Sequence, residues 1–175
     1  NLTTSTGLAR DSYDIGLRAF LSANYGAQEA FSQSIEADPN FALAYLGLAR
    51  AFMSSGHAPE AKAALGKAKN LLGGVTDREK SHFLCCELIL LGEAKKARAA
   101  VHHHVSEWPR DAMVAQMNTS VFGLIGFSGE VGREVDLLEY TERLLPHYGE
   151  DWWMASMHAI SLCETGQTLK SMQLM

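Results

Sequence analysis

The chain has 175 residues, 47% apolar and 20% charged, enough to bury a sizeable core. Its net charge is −5 with Lys and Arg dispersed, which excludes the basic stripe expected of a duplex nucleic-acid binder. Gly and Pro are too scattered for a fibrous class, and the longest apolar run, Phe83–Leu91, is interrupted by Glu87, so no membrane partner is expected.

In chain order, Asn1–Leu8 is small and polar and is expected to be a flexible lead-in. Tyr13, Leu17, Phe20 and Leu21 then share one side of a helix predicted over Ala9–Ala23. Asn24–Gly26 reads as a turn. A second helix carries Ala27, Phe31, Ser34 and Ile35 and stops at Asp38–Pro39, where proline cannot continue the ladder. Asn40–Leu72, NFALAYLGLARAFMSSGHAPEAKAALGKAKNLL, holds the clearest unit. Tyr45, Leu48, Ala49 and Phe52 fall at helical spacing, Ser54–Pro59 turns the chain, and Ala61, Leu65 and Ala68 repeat the spacing before Gly73. Bulky residues facing small ones let two antiparallel helices approach closely, but one such hairpin must stack on neighbours to be stable. Pro59 and Glu60 in the first turn, with Lys67 and Lys69 near the far end, complement the helix dipole.

Thr76–Asp77–Arg78–Glu79 has the form of a capping box. The helix it opens is expected to turn Leu84, Cys85 and Leu88 inward and to end at Gly92. Its partner, Glu93–Glu107, is expected to turn Ala97, Val101 and His104 inward and to end at Trp108–Pro109. Ala27, Ala61 and Ala97 lie 34 and 36 residues apart, as do Phe31, Leu65 and Val101, and the terminators Pro39, Gly73 and Pro109. A fourth pair is predicted from Asp111–Ile125 (Met113, Met117, Val121, Leu124) and Glu130–Leu145, ended by Pro146. This pair lacks the small residue at the tight crossing. Asp151–Thr165 opens a fifth, and Thr168–Met175 begins its second helix. The expected fold is all-α: a single domain over 9–175 with hairpins at 9–39, 40–73, 76–109 and 111–146 and an incomplete one at 151–175. The apolar face Leu169, Met172 and Met175 has no cap, so a longer natural protein or self-association at that end is expected.

A period of about 34 with a helix–turn–helix unit is the tetratricopeptide signature. Tyr45–Leu48–Ala49–Phe52–Gly56–Ala61–Leu65–Ala68 resembles that superfamily's pattern almost position for position, and Leu84–Cys85–Leu88–Gly92–Ala97 resembles it with substitutions. ADPNFALAYLGLA, TDREKSHF, RLLP and WWMASMHAISLCETG are most similar to the tetratricopeptide repeat protein 38-like subfamily. The resemblance implies a right-handed superhelix whose first helices line a concave groove used for protein contacts. The Lys, Asn and Arg set with which some members grip a chaperone's C-terminal carboxylate is not found: the matching positions hold Asp14, Arg18, Gly47, Glu79 and Phe83. The groove surface expected instead is apolar, with Leu46, Arg50 and Met53, then His82, Phe83, Cys86 and Ile89, then Trp153, Met157 and Ile160. It suits a peptide or the chain's own missing C-terminal segment.

Candidate chemistry is sparse. Neighbouring helical residues point about 100° apart, so His102–His103–His104 cannot converge on one ion. His82 and Cys86 share a face, but no second pair completes a metal site. Gly123, Gly126, Gly129 and Gly132 match neither a dinucleotide fingerprint nor a P-loop and read as a connection. Asn118–Thr119–Ser120 is formally a glycosylation sequon inside a predicted helix. Cys85 and Cys86 are adjacent and Cys163 is distant, which gives no disulfide framework and points to reduced thiols. The expectation is a cytoplasmic, non-catalytic interaction scaffold without cofactor or metal and with a protein or peptide partner. The alternative is an accessory or ligand-binding helical domain of an enzyme, with His82, Cys86, His158 and Glu164 near one pocket.

Overall fold

The structure, a computed structural model, describes residues 2–175. It is all-α, with no strand among the described residues. The chain separates into two compact units, Asn1–Glu93 and Ala94–Met175. The division falls inside the expected third hairpin.

The first unit holds α1 (Gly7–Leu21), α2 (Ala27–Ala37), α3 (Ala42–Ser54), α4 (Ala58–Asn70) and α5 (Asp77–Leu90). The pairs α1–α2 and α3–α4 are helical hairpins, and α1, α3 and α5 are neighbours in turn. Small residues set the approach distances: Ala49, Ala61 and Ala68 are fully buried, as the pattern of large and small residues requires. The tightest place is Phe31 on α2, whose ring lies against Gly16 on α1 and Gly47 on α3. A Cβ would come within 2.8 Å of that ring at Gly16 and within 2.5 Å at Gly47.

Each hairpin turn in the described chain ends its first helix the same way. In α3, His57 N–H donates to Phe52 O (2.9 Å) and Gly56 N–H to Met53 O (3.1 Å), with Gly56 at φ 78°. This pairing satisfies two carbonyls that a helix end leaves open. It recurs after α5, from Glu93 to Leu88 O (3.0 Å), and after α9, from Gln167 to Leu162 O (2.8 Å). After α1 it runs from Asn24 to Ala19 O (2.8 Å), but there the left-handed position is Ala23, at φ 53°.

The expected flexible lead-in is bound instead. Thr6 caps α1 through Ala9 N–H (3.1 Å), Thr4 Oγ1 donates to Asp38 Oδ2 (2.6 Å), and Thr3 donates through N–H (3.0 Å) and hydroxyl to Glu79. Asn1, counted in that lead-in, lies outside the described residues.

The second unit holds α6 (Ala94–Glu107), a single turn α7 (Ala112–Ala115), α8 (Arg133–Tyr148), α9 (Trp152–Glu164) and α10 (Thr168–Leu174). The helix predicted over Asp111–Ile125 stops after one turn. Ser120 takes φ 63°, and Leu124 N–H folds back to Met117 O (2.8 Å). At Gly123 and Gly126 the backbone crosses so closely that a Cβ would meet Thr119 O at 2.1 Å and Ser120 O at 2.5 Å. Of the four residues of the apolar spacing Met113 and Met117 are buried, while Val121 and Leu124 are half-buried and Ile125 takes the interior place instead. Pro146 does not end α8, which runs on to Tyr148 with Gly149 as its cap. Asn118 is fully buried with neither amide atom hydrogen-bonded, so its sequon is closed in the folded chain.

Candidate functional site

The capping box at Thr76 forms and opens α5 at Asp77. Residues 36 apart then occupy equivalent places: Tyr45 and Ser81, Leu46 and His82, Gly47 and Phe83, Ala49 and Cys85, Arg50 and Cys86, Met53 and Ile89. Burial follows the same register on both helices. Leu46, His82, Phe83, Cys85 and Cys86 are interior, and Arg50 is 7% exposed. The Arg50 guanidinium lies 5.6 Å from the Phe20 ring centroid. Burial lowers its pKa, with Cys86 nearby working the other way, but an arginine so placed stays a cation.

The expected groove is therefore largely core. Leu46, His82, Phe83 and Cys86 are buried, Arg50 nearly so, and Met53 and Ile89 half-buried. In the second unit Trp153 is buried, Met157 half-buried and Ile160 36% exposed. The physical reason in the first unit is the packing of neighbouring first helices, which encloses these register positions. Gly47 faces Phe31, and Glu79 is buried under Thr3 and Thr76, so neither position reaches a partner directly.

The side left open is the one expected to be core. Tyr45, Leu48 and Phe52 on α3 are half-buried; on α5 the positions equivalent to Leu48 and Phe52 hold Leu84, 46% exposed, and half-buried Leu88, with Leu91 just past the helix exposed. Spacings of three and four residues place each set on one helix face. The signal was present as apolar periodicity, but periodicity alone does not say which of two apolar faces is covered. On a helix as apolar as α3 the choice is set by neighbours.

In the second unit the three histidines take three environments. His102 is half-buried, its Nδ1 accepting from Arg143 Nη2 (3.2 Å) and its ring edge-on to Tyr140. His103 is exposed. His104 is buried, with Nε2 3.3 Å from Asp111 Oδ2 and its ring against Trp108. Burial, then Arg143 and Arg98, hold His102 below the ordinary imidazole range. Arg98 is engaged by Glu130 at 2.7 Å, which raises the one and lowers the other. The Tyr148 hydroxyl, buried near Asp111 and Asp151, is pushed up strongly. Among the described residues no three His, Cys, Asp or Glu side chains come together as a metal site. His82 and Cys86 lie in the first unit, and His158 and Glu164 in the second. No helix of the described residues is long and apolar enough to cross a membrane.

Comparison with known proteins agrees with the hairpin analysis over one stretch. A crystal structure of a MamA protein superposes with a TM-score of 0.42 at 18% identity, covering 95% of this chain and 87% of that one. No curated protein sequence gives a significant match. The tetratricopeptide repeat family model matches residues 26–72. That segment runs from the start of α2 through the α3–α4 hairpin, the part of the chain where the alternation of bulky and small residues is most regular.

Proposed function

We propose that the chain is a protein-interaction scaffold without catalysis, contacting its partner through the open face of α3 and α5. One observation carries this reading: Leu48 and Phe52 on α3 are matched in register by Leu84 and Leu88 on α5, flanked by Tyr45 and Leu91, and these side chains remain partly or largely exposed on adjacent helices. Contiguous apolar surface of this kind marks interaction sites. The tetratricopeptide match at 26–72 supports it, because stacked repeats of that type present extended surfaces to proteins. The face is apolar along its length, so an apolar peptide, including a segment of the same protein, is the partner class that fits best. The four sequence segments quoted above support placing the chain with the tetratricopeptide repeat protein 38-like subfamily. Cys85, Cys86 and Cys163, none of them joined in a disulfide, support a reducing, cytoplasm-like compartment.

The test is quantitative co-purification with the intact protein, comparing wild type with a Leu48→Glu, Leu84→Glu double variant whose melting curve is unchanged. Loss of the specifically retained proteins in the variant is expected. Retention of the same set by the variant would remove this face as the contact surface.

A further inference from the structure

Residues 2–6 form a strap across the first unit. Thr6 caps α1, and the non-helical segment before it reaches the last helix of the unit. Thr4 Oγ1 donates to Asp38 Oδ2 (2.6 Å) at the C-terminal cap of α2, while Asp38 Oδ1 accepts from Asn40 N–H (3.0 Å). Thr3 donates through its N–H (3.0 Å) and its hydroxyl to Glu79, in the first turn of α5. Thr3 and Glu79 are 76 residues apart, so these bonds tie the first and last helices of the unit directly.

That tie falls on the helix that needs it most. α1 pairs with α2 and α3 with α4, whereas α5 has no hairpin partner within its unit and rests on α3 and α4. A helix stacked at the end of an array without its own partner is the part most easily loosened. The Lys69–Glu87 ion pair (2.9 Å) joins α4 to α5 at the surface, where solvent and salt leave such pairs little to contribute. The strap bonds go instead to a carboxylate that is 1% exposed, so they are charge-assisted and weakly screened. One side of the strap borders a cleft of about 620 Å³ shared with Asn70, Leu71 and Gly73–Val75, so its attachment comes more from these hydrogen bonds than from apolar packing.

α5 also carries Leu84 and Leu88, its half of the contact face. We infer that residues 2–6 are a latch on that face: closed, they hold α5 against α3 and α4 with Leu84 and Leu88 beside Leu48 and Phe52, and open, they let α5 loosen and its half of the face come apart. What the latch controls rests on the scaffold reading; the latch itself is tested with no partner present, so its failure is distinct from a failure of the face to bind a protein. Both strap hydroxyls meet carboxylates, so negative charge placed at residues 3 and 4 opens the latch by repulsion. Amide exchange of the intact protein at pH 7, read residue by residue by NMR, compares wild type with a Thr3→Glu, Thr4→Glu variant. The strap amides are expected to lose protection and residues 77–91 to exchange about tenfold faster, the effect of losing one hydrogen bond to a charged group, while residues 42–70 keep their wild-type rates. Thr3→Val with Thr4→Val removes the hydroxyls without adding charge and is expected to act in the same direction more weakly. Unchanged exchange in 77–91 once the strap is released, persistent protection of the strap in the charged variant, or equal acceleration in 42–70 would each overturn the assignment.

Discussion

Left-handed turns and tight helix crossings are each decided by single residues. Ala23 occupies the left-handed position that glycine fills after α3, α5 and α9, and a Cβ there costs about 1–2 kcal/mol. Glycine would relieve that cost but lose about 0.5–1 kcal/mol to the freedom of the unfolded chain. Ala23→Gly is thus expected to stabilise the protein by about 0.5–1 kcal/mol, a rise of about 2–4 °C per kcal/mol in a thermal melt. Gly56→Ala, where no neighbouring atom lies within 4 Å, should lower it by a similar amount. Gly47→Ala is a steric problem of a different kind. The new methyl would sit 2.5 Å from a Phe31 ring that is fully buried and backed by Gly16, so the ring cannot withdraw. A loss of about 1–3 kcal/mol is expected from that overpacking, and Gly47→Ala in a Phe31→Leu background should recover part of it.

At the scale of elements, most helix starts and stops specified by local chemistry were legible, Pro146 inside α8 being an exception. The capping box at Thr76, the first-turn proline at Pro59 and the hairpin turns at Gly56, Gly92 and Gly166 all lie where the chain pattern predicts. The segment 116–132 was not legible, because Met113, Met117, Val121 and Leu124 keep a helical period while Ser120, Gly123 and Gly126 hold a backbone reversal that periodicity does not register. The lead-in was misread for a related reason: the sequence shows Glu79 as a capping residue but not its second set of donors. Burial works to raise the Glu79 carboxyl, yet hydrogen bonds from Thr3 and Thr76 outweigh it and hold the group below its ordinary 4.5. A carboxylate depressed in this way stabilises the fold above its unfolded value, and the contribution is lost as pH falls through the lower, folded value. Residues 2–6 should therefore exchange amide hydrogen slowly at pH 7 and be released in acid. Glu79→Gln should release them already at pH 7, and slow exchange there in that variant would show that Thr4 and Thr6 suffice to hold the segment.

For the whole molecule, apolar periodicity was enough to give an all-α chain of hairpins but not the division into two units, because every local signal is the same on either side of Glu93. The candidate site suffered from the same symmetry, since both faces of α3 are apolar and only its neighbours select the open one. The units differ in the groups whose titration the fold clearly shifts. In the second unit His102 is lowered by burial and by Arg143 and Arg98, and His158 is lowered by burial, both from an ordinary 6.5. An imidazole that prefers to be neutral in the fold takes up protons more readily when unfolded. Stability then rises with pH across the interval between the folded and unfolded values, and is fully present only above about 6.5. In the first unit the depressed Glu79 acts only below about 4.5, and Asp14, raised by partial burial and by Asp11, works in the opposite sense there. The second unit should accordingly loosen first as pH falls below about 6.5, while the first keeps its protection until pH approaches 4.5. Hydrogen exchange resolved by peptide across a pH series reads the two units separately in one sample, after correction for the intrinsic exchange rate. His102→Gln with His158→Gln should flatten the early loss in residues 94–175 without moving the later one in residues 2–93. Simultaneous loss in both units, or an early step that survives the double substitution, would mean that other groups govern the acid response.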